Sequence, residues 1–412
     1  MKISLKNAKL YTRNGFVVKS ISICDNKIVP YTEEDGFNVV DCSGYYVFPG
    51  FVDVHVHLRE PGFSYKETVD SGTLAALAGG YTTVCTMPNL KPVPDSLENL
   101  RIQLDIIRNN ARCKVIPFGS ITRNEEGAAL SDMEDMAEFV AGFSDDGKGV
   151  QSKEMMTTAM QTAFKLGKII SAHCEDNSLL NGGVIHDGEF AEQNGFKGIS
   201  SASEFEQIKR DIEIVRKTGV AYHVCHISTK ESVSLIRQAK KDGLNITCET
   251  APHYLVLNDT CLEDHGRFKM NPPIRSEEDR QSLIAGLQDG TIDMIATDHA
   301  PHSVEEKSGG LNGSLMGVIG LETAFPVMYT ELVKNNIITL DKLIELMSIN
   351  PSARFDLNTD DVDLCIFDLN EKYTIRGEDS RSKGMFTPFE GREVYGKCIM
   401  SICKGEAAYS SL

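Results

Sequence analysis

Two histidines separated by a single residue are the first feature of this sequence that could do chemistry. His55 and His57 flank Val56 at the end of an apolar run that starts at Gly50. Residues two apart on a β-strand point to the same face, so both imidazoles can enter one site, and imidazole is a common ligand of zinc. Taken alone the pair is a weak signal, since about half of such pairs would be incidental.

Three later apolar runs also end in residues that can bind a metal. They are Ala172-His173-Cys174-Glu175, Cys225-His226-Ile227 and Ala296-Thr297-Asp298-His299. Zinc suits a mixture of imidazole and carboxylate, and four histidines with an aspartate exceed what one catalytic ion with an open position needs. The sequence therefore predicts a site for two zinc ions.

Two ions need a bridging ligand, and the stretch from 145 to 148 holds the candidates. Asp145 and Asp146 are carboxylates, whereas Lys148 could serve only after carboxylation. Asp-Asp-Gly is a strong turn signal, and by itself it could be a plain turn. It should end the strand at Asp146, which can bridge ions roughly 3.5 to 4 Å apart directly. We therefore expect Asp146 to bridge and Lys148 to lie outside the site.

The elements that must position these residues alternate along the middle of the chain. Apolar runs predict eight strands, at 50–58, 82–87, 113–121, 139–143, 168–172, 221–227, 245–249 and 292–297. Apolar spacings of three and four between them predict helices, for example at 67–78, 96–109, 152–166, 203–217 and 231–241. This alternation predicts an α/β protein with a (β/α)8 TIM-like barrel, whose active site lies at the carboxyl ends of the strands.

Both ends of the chain have a different pattern. Residues 1–49 and the region after Pro351 contain short alternating strands, the clearest at 363–368 and 396–403. We expect a small β-sandwich domain from 1–49 plus 357–412, and a barrel domain from 50–356. The Gly- and Ser-rich stretch 302–316 follows the last barrel strand, so it is a candidate mobile lid at the catalytic mouth.

Composition excludes several classes of function. A net charge of -17 over 412 residues argues against a nucleic-acid surface, which needs clustered Lys and Arg. No stretch approaches the roughly 18 apolar residues of a membrane helix. The start of the chain lacks the continuous apolar core of a secretory signal, and the 11 cysteines form no C-x-x-C pair. We expect a cytoplasmic protein with reduced thiols.

Seven motifs in order resemble the type I dihydroorotases of the amidohydrolase superfamily. They are Asp53-Val54-His55-Val56-His57-Leu58-Arg59-Glu60-Pro61-Gly62, Met87-Pro88-Asn89, Asp145-Asp146-Gly147, Ala172-His173-Cys174-Glu175, His223-Val224-Cys225-His226-Ile227-Ser228, Met270-Asn271-Pro272-Pro273 and Ala296-Thr297-Asp298-His299-Ala300-Pro301-His302. The resemblance spans about residues 45 to 330. The Arg after His-x-His, the Met-Pro-Asn and the Asp-His-Ala-Pro-His are its most specific parts. One departure is Asn358-Thr359-Asp360-Asp361-Val362-Asp363-Leu364, where a Gly-punctuated turn is usual.

The resemblance implies a role for each matched residue. It implies that one zinc is held by His55, His57 and Asp298, and the other by His173 and His226, with Asp146 bridging them. It implies that Asp298 also carries the proton. It implies that the substrate is bound by Arg59, Asn89, Asn271 and His302, where the guanidinium fork of Arg59 suits a carboxylate.

The activity that the resemblance implies is the reversible, zinc-dependent hydrolysis of (S)-dihydroorotate to N-carbamoyl-L-aspartate in de novo pyrimidine (UMP) biosynthesis. Such an enzyme takes a small-molecule substrate, and the family suggests a homodimer and an association with aspartate transcarbamoylase. A binuclear zinc site would activate the attacking water, and Asp298 would pass its proton to the departing ring nitrogen.

Two alternatives remain open. A dihydropyrimidinase or allantoinase would act on another cyclic amide, but these relatives generally use a carboxylated lysine bridge and lack the pairing of Arg59 with Asn89. A catalytically silent scaffold subunit for aspartate transcarbamoylase would typically have lost metal ligands, whereas all six are present here.

Other polar residues near the motifs are expected to have structural roles. His223 lies three residues before His226 and should face the other side of its strand, and His299 should face away from Asp298. His253 is as well suited to orienting a ligand as to a structural role. His186 and His265 lie in Gly-bearing loops and are expected at the surface, and Glu175 is expected to cap or solvate its loop.

Overall fold

The computed structural model describes residues 2–357 and 362–412. Its strands, numbered in chain order, are β1 (Ile3–Thr12), β2 (Gly15–Cys24), β3 (Lys27–Pro30), β4 (Asn38–Asp41), β5 (Tyr46–Pro49), β6 (Phe51–Val56), β7 (Tyr81–Thr86), β8 (Lys114–Pro117), β9 (Gly119–Ser120), β10 (Gly142–Ser144), β11 (Ile169–Ala172), β12 (Ile185–His186), β13 (Gly198–Ile199), β14 (Tyr222–Val224), β15 (Ile246–Thr250), β16 (Met294–Ile295), β17 (Leu364–Thr374), β18 (Glu393–Cys403) and β19 (Glu406–Ser410). The departure at 358–361 lies outside the described residues.

Most of the helices lie between the strands of the middle region. They are α1 (Val69–Ala78), α2 (Leu97–Asn110), α3 (Met133–Met136), α4 (Lys153–Leu166), α5 (Glu189–Asn194), α6 (Ala202–Thr218), α7 (Lys230–Lys241), α8 (Pro252–Val256), α9 (Glu277–Asp289), α10 (Val304–Lys307), α11 (Gly310–Gly313), α12 (Ala324–Met328), α13 (Leu340–Ile344) and α14 (Asn350–Arg354). Several begin at a Ser or Thr whose side chain accepts a hydrogen bond from the first turn, as helix N-termini require: Thr68, Ser96, Ser152, Thr229 and Ser276. None of the described helices is both long and apolar enough to cross a membrane.

The predicted strands of the middle region pair in parallel. β6, β7 and β8 form one sheet, and β9, β10, β11, β14, β15 and β16 form another. Only Phe118 separates β8 from β9. Val56 at the end of β6 forms a parallel bridge with His299, which follows β16. The α/β class and the positions of the eight predicted strands are confirmed, except that 137–139 is a 3-10 turn and β10 begins later than expected.

These parallel strands, apart from β8, are largely buried on both faces, as is usual for parallel sheets. Along β6 every residue from Phe51 to Val56 is buried. Val52 and Val54 contact a small apolar cluster with Cys85 and Met294, whereas Phe51 belongs to the large cluster shared with the helices. The residues that follow these strands therefore stand on a packed apolar core.

The two ends of the chain form a single eight-stranded sheet. Its order is β19-β18-β17-β5-β1-β2-β3, and β4 also pairs with β1. The pairing of β17 with β5 joins the C-terminal strands to the N-terminal ones, as predicted. A separate apolar cluster that includes Leu5, Ile23, Ile366 and Ile402 lies on this sheet.

One segment was not anticipated from the sequence. Residues 375–392, between β17 and β18, contact the loops that follow the middle strands. The amide of Arg381 donates to Glu322 Oε1 at 2.7 Å, and Lys383 Nζ donates to the carbonyl of Ser64 at 2.6 Å. The C-terminal region thus also contacts the neighbourhood of the predicted mouth.

Candidate metal centre and substrate cavity

The ends of five parallel strands bring six buried side chains together. They are the predicted metal ligands His55, His57, Asp146, His173, His226 and Asp298. Asp298 Oδ1 lies 3.1 Å from His57 Nε2 and 3.6 Å from His55 Nε2. His173 Nδ1 lies 3.0 Å from His226 Nε2. Residues separated by up to 243 positions in the sequence therefore form two adjacent groups, as the strand-end argument predicted.

Asp146 lies between these two groups. Its Oδ1 is 3.3 Å from His55 Nε2, and its Oδ2 is 3.5 Å from His57 Nε2. The same Oδ1 is 3.8 Å from His173 Nδ1 and 3.7 Å from His226 Nε2. A single short carboxylate thus faces both histidine pairs, which is the geometry expected of a bridging ligand.

The turn after β10 explains why Asp146, and not its neighbours, faces the site. Gly147 has φ of +78°, a left-handed conformation that favours glycine, so the chain reverses immediately after Asp146. Asp145 points away and accepts the amides of Ile121 at 2.7 Å and Thr122 at 3.0 Å. Lys148 is half exposed and donates to the carbonyl of Asn124 at 3.3 Å. The expected position of Lys148 outside the site is confirmed.

Two of the six side chains are carried on backbone that is unusual for their residue types. Asp298 has φ of +49° and His226 has φ of +32°, and Arg59 beside them has φ of +61°. Left-handed conformations of this kind are uncommon for residues other than glycine and tend to occur at functional sites.

The chemistry of the six side chains fits a metal. His55 Nε2 and Asp146 Oδ1 are buried and have no hydrogen-bond partner among the described residues. The two atoms lie 3.3 Å apart. Burial alone would raise the pKa of Asp146, but the imidazoles of His55 and His226 lower that pKa well below its usual value. Imidazole nitrogens and carboxylate oxygens are the donors that suit a borderline cation such as Zn²⁺.

A carboxylate that we did not predict holds His55 from behind. Glu249, at the end of β15, is buried and its Oε1 lies 2.7 Å from His55 Nδ1. Its Oε2 lies 3.1 Å from His223 Nε2, so His223 is a hydrogen-bonded histidine, as expected. The carboxylate fixes the tautomer that turns His55 Nε2 toward Asp146. Glu249 closes a predicted strand, so the strand-end criterion applied to carboxylates could have found it.

A cavity of about 180 Å³ opens beside the six side chains. All four predicted substrate-binding residues line it: Arg59, Asn89, Asn271 and His302. Asn89 Oδ1 accepts from His57 Nδ1 at 2.9 Å, which leaves its amide group for another partner. Met316 and Gly317, at the end of the predicted lid, also line the cavity. The stretch 302–316 therefore lies at the mouth, as predicted, and its mobility stays a prediction.

The structure corrects two expectations about the surrounding loops. Glu175 is buried; its Oε2 lies 3.6 Å from His173 Nε2 and its Oε1 accepts from Asn271 Nδ2 at 2.8 Å. Glu175 therefore connects His173 to Asn271 and does not solvate its loop. His186 is buried beside Arg275, with Nδ1 3.4 Å from Nη1, and it lies in β12, which pairs with β13. Both were wrong because the sequence does not show which loops fold back.

Three further histidines can be placed. His299 faces away from Asp298, as expected, toward Glu67 Oε2 at 3.4 Å. His265 is exposed, as expected. His253 is buried, its Nε2 has no hydrogen-bond partner among the described residues, and burial lowers its pKa to about 4.

Comparison with known proteins identifies relatives along the whole chain. A family model described as Dihydro-orotase-like matches residues 44–232. Relatives called Dihydroorotase include those of Fusobacterium nucleatum subsp. nucleatum, 48% identical over 415 residues with 98% of each chain covered, and of Staphylococcus epidermidis, 45% identical over 419 residues with 98% of each covered. Another, from Macrococcus caseolyticus, is 45% identical over 421 residues with 99% of each covered.

Solved structures with the same fold include a hydantoinase and a dihydropyrimidinase. The L-hydantoinase (dihydropyrimidinase) from Arthrobacter aurescens has a TM-score of 0.85 at 24% identity, covering 98% of this chain and 95% of that one. The dihydropyrimidinase from Brevibacillus agri NCHU1002 has a TM-score of 0.85 at 22% identity, covering 99% and 95%. These likenesses establish the fold. With 45 to 48% identity over nearly its full length, the chain belongs to the dihydroorotase family.

Proposed function

We propose that this protein is a dihydroorotase, which reversibly hydrolyses (S)-dihydroorotate to N-carbamoyl-L-aspartate in pyrimidine biosynthesis. The observation that carries the proposal is the position of Arg59, which lines the same cavity as five of the six clustered side chains, all but His55. A cyclic amide with a carboxylate needs such a cation, whereas hydantoin and dihydrouracil have no carboxylate to pair with it. The names of the relatives agree with this assignment.

Two zinc ions are proposed as the cofactor. His55, His57 and Asp298 would hold one ion, His173 and His226 the other, and Asp146 would bridge them, as their spacing supports. A binuclear zinc site makes water nucleophilic near neutral pH and polarises a carbonyl. The donor set of imidazoles and carboxylates favours zinc over calcium or magnesium.

Asp298 is proposed as the group that moves the proton. Its carboxylate lines the cavity, and the hydrogen bond with His57 and the charge of His55 hold its pKa below the usual value although burial opposes this. An ionised carboxylate can accept a proton from the attacking water and return it to the ring nitrogen as the amide bond breaks. In the synthetic direction the same carboxylate acts first as the acid.

The substrate would be held on the opposite wall of the cavity. Arg59 Nη2 lies 3.4 Å from His302 Nε2, so two groups that can face a carboxylate stand side by side. Asn89 and Asn271 each offer an amide to the polar edge of the ring. We propose that these four residues orient the ring so that its amide carbonyl faces Asp146 and Asp298.

The closure of the barrel and the division into two domains are part of the same proposal. We propose that the eight parallel strands close into a (β/α)8 barrel, which the bridge between Val56 and His299 supports. The domains proposed are a barrel at 50–356 and a β-sandwich from 1–49 plus 357–412, supported by the shared terminal sheet. A cytoplasmic location, a homodimer and an association with aspartate transcarbamoylase stay predictions, the last two testable by measuring the mass of the protein in solution with and without the transcarbamoylase.

One assay tests the proposed activity directly. Purified protein loaded with zinc should consume dihydroorotate at alkaline pH and N-carbamoyl-aspartate at acidic pH, and a chelator should abolish both reactions. Allantoin, hydantoin and dihydrouracil are the comparison substrates. No turnover of dihydroorotate by the zinc-loaded protein would favour the scaffold alternative, and faster turnover of hydantoin or allantoin would favour the hydantoinase-like one.

A further inference from the structure

A buried lysine contacts the substrate-binding histidine from outside the cavity. Lys66 follows β6 and is about 9% exposed. Its Nζ lies 3.2 Å from His302 Nδ1 and 3.0 Å from Glu306 Oε1. Glu306 is held in turn by the hydroxyl of Tyr65 at 3.0 Å and the amide of Ser303 at 3.1 Å. Lys66 thus joins the segment after β6 to the start of the predicted lid.

The partners of His302 determine where its ring proton lies. Nε2 is 2.8 Å from the carbonyl oxygen of Met316, which can only accept, and 3.4 Å from Arg59 Nη2, which can only donate. The shorter contact places a proton on Nε2. The ammonium of Lys66 can only donate, so Nδ1 must accept from it. Burial and the charges of Arg59 and Lys66 lower the pKa of His302 to about 3, which agrees with a neutral ring.

We infer that Lys66 is a positioning residue for substrate binding: by donating to His302 Nδ1 it keeps the single ring proton on Nε2, the nitrogen beside Arg59. This inference rests on the proposed function, because the carboxylate of dihydroorotate would replace the carbonyl of Met316 as the acceptor of the Nε2 proton, beside the guanidinium of Arg59. Lys66 itself does not line the cavity, so it acts through His302.

Glu306 shows what would happen without Lys66. Its Oε2 lies 3.3 Å from His302 Nδ1 and can accept a proton from that nitrogen. Removing the lysine would therefore favour the tautomer protonated on Nδ1, in which Nε2 presents a lone pair to the carboxylate. The loss should weaken ground-state binding of the substrate and leave the reacting groups at Asp146 and Asp298 undisturbed.

The tautomer can be measured without relying on turnover. In protein labelled with ¹⁵N-histidine, the His302 resonances, identified by their absence in His302→Asn, should show Nε2 protonated and Nδ1 unprotonated at neutral pH. Lys66→Met should shift the ring toward a protonated Nδ1. A wild-type His302 protonated on Nδ1, or a ring unchanged in Lys66→Met, would overturn the inference.

Kinetics provide the second readout. Losing a hydrogen bond to a charged donor typically corresponds to about tenfold or more in an equilibrium constant, so Lys66→Met should raise KM for dihydroorotate about tenfold and change kcat less than about twofold. In the His302→Asn background the same substitution should change KM by less than about twofold, because contributions that pass through one residue are not additive. Equal effects in both backgrounds would show that Lys66 does not act through His302.

A matched control excludes a general effect of charge. Lys6, on the terminal sheet, is paired with Glu33 at 2.8 Å, so Lys6→Met also removes one paired cation. It should leave both KM and the His302 resonances unchanged, and an equal rise of KM in this variant would count against the inference. If the wild type did not turn over dihydroorotate at all, the proposed function would fail, whereas the tautomer measurement would still test the contact itself.

Discussion

Glu249 Oε1 lies 2.7 Å from His55 Nδ1, although 194 residues separate them in the sequence. Both side chains are buried, and the carboxylate also accepts from His223. Because Nδ1 donates to Glu249, Nε2 is the nitrogen that faces Asp146. A ligating histidine whose other nitrogen is bound to a carboxylate is fixed in orientation and becomes a stronger base.

We expect Glu249→Gln to weaken zinc binding by about 10- to 100-fold, because the neutral amide orients His55 less firmly and does not stabilise its donated proton. Competition with a chromophoric chelator measures the affinity. The matched control is Glu67→Gln, since Glu67 pairs with the non-ligand His299 at 3.4 Å and is equally buried. Equal losses in both variants would contradict a specific role for Glu249.

Asp298→Asn should retain part of the bound zinc, because the histidines remain, but lower kcat by about 10²- to 10⁴-fold in both directions. An amide can neither accept the proton of the attacking water nor return it to the ring nitrogen. Steady-state rates and metal analysis of the same preparation provide the measurement. Activity within tenfold of the wild type would show that another group moves the proton.

Arg59→Lys should raise KM for dihydroorotate by about tenfold or more, since a point ammonium cannot reproduce the two parallel hydrogen bonds of a guanidinium to a carboxylate. Its effect on hydantoin or dihydrouracil, which lack that carboxylate, should be small. Initial rates of the wild type and Arg59→Lys with dihydroorotate, hydantoin and dihydrouracil test this prediction. If the wild type used hydantoin as well as dihydroorotate, the assigned specificity would be wrong.

The bridging position can be tested with one substitution at Asp146 and one at Lys148. Asp146→Ala should lose the second metal ion and nearly all activity, because the two histidine groups lose their shared ligand. Lys148→Met should retain most of both, since its ammonium lies outside the site and donates to Asn124. Added bicarbonate should have no effect on the wild type. A carboxylated Lys148 between two metals would refute Asp146 as the bridge.

His186 should make the protein sensitive to mild acid. Burial, and then the charge of Arg275, lowers the pKa of His186 to about 4 from an ordinary 6.5. The unfolded chain therefore binds the proton more tightly, so stability falls as pH falls from about 6.5 toward 4. Between pH 7.5 and pH 5 the loss should be about 2 kcal/mol.

The measurement is urea unfolding at the two pH values. His186→Gln should reduce the loss by about that amount, whereas His265→Gln, at an exposed histidine, should not change it. An identical loss in the wild type and in His186→Gln would mean that other groups cause the acid sensitivity.

The sequence alone determined which residues end the parallel strands. Apolar runs bounded by turn signals located β6, β11, β14 and β16, and their ends carry His55, His173, His226 and Asp298. Strand alternation is a local property with a period of two, so it also placed His57 with His55 and set His223 apart from His226. The Asp-Asp-Gly turn is also a local signal, and it predicted that the strand ends at Asp146 and leaves Lys148 outside the site.

Only the tertiary structure decided which partners lie behind those residues. Glu249 reaches His55, Glu175 reaches Asn271, and Lys66 reaches His302 across separations of 194, 96 and 236 residues. His186 looked like a surface residue because nothing local shows that its segment pairs with β13 and packs against Arg275. Such contacts depend on how distant loops pack above the strand ends, and hydrogen-bond partners in loops follow no period that a sequence could display.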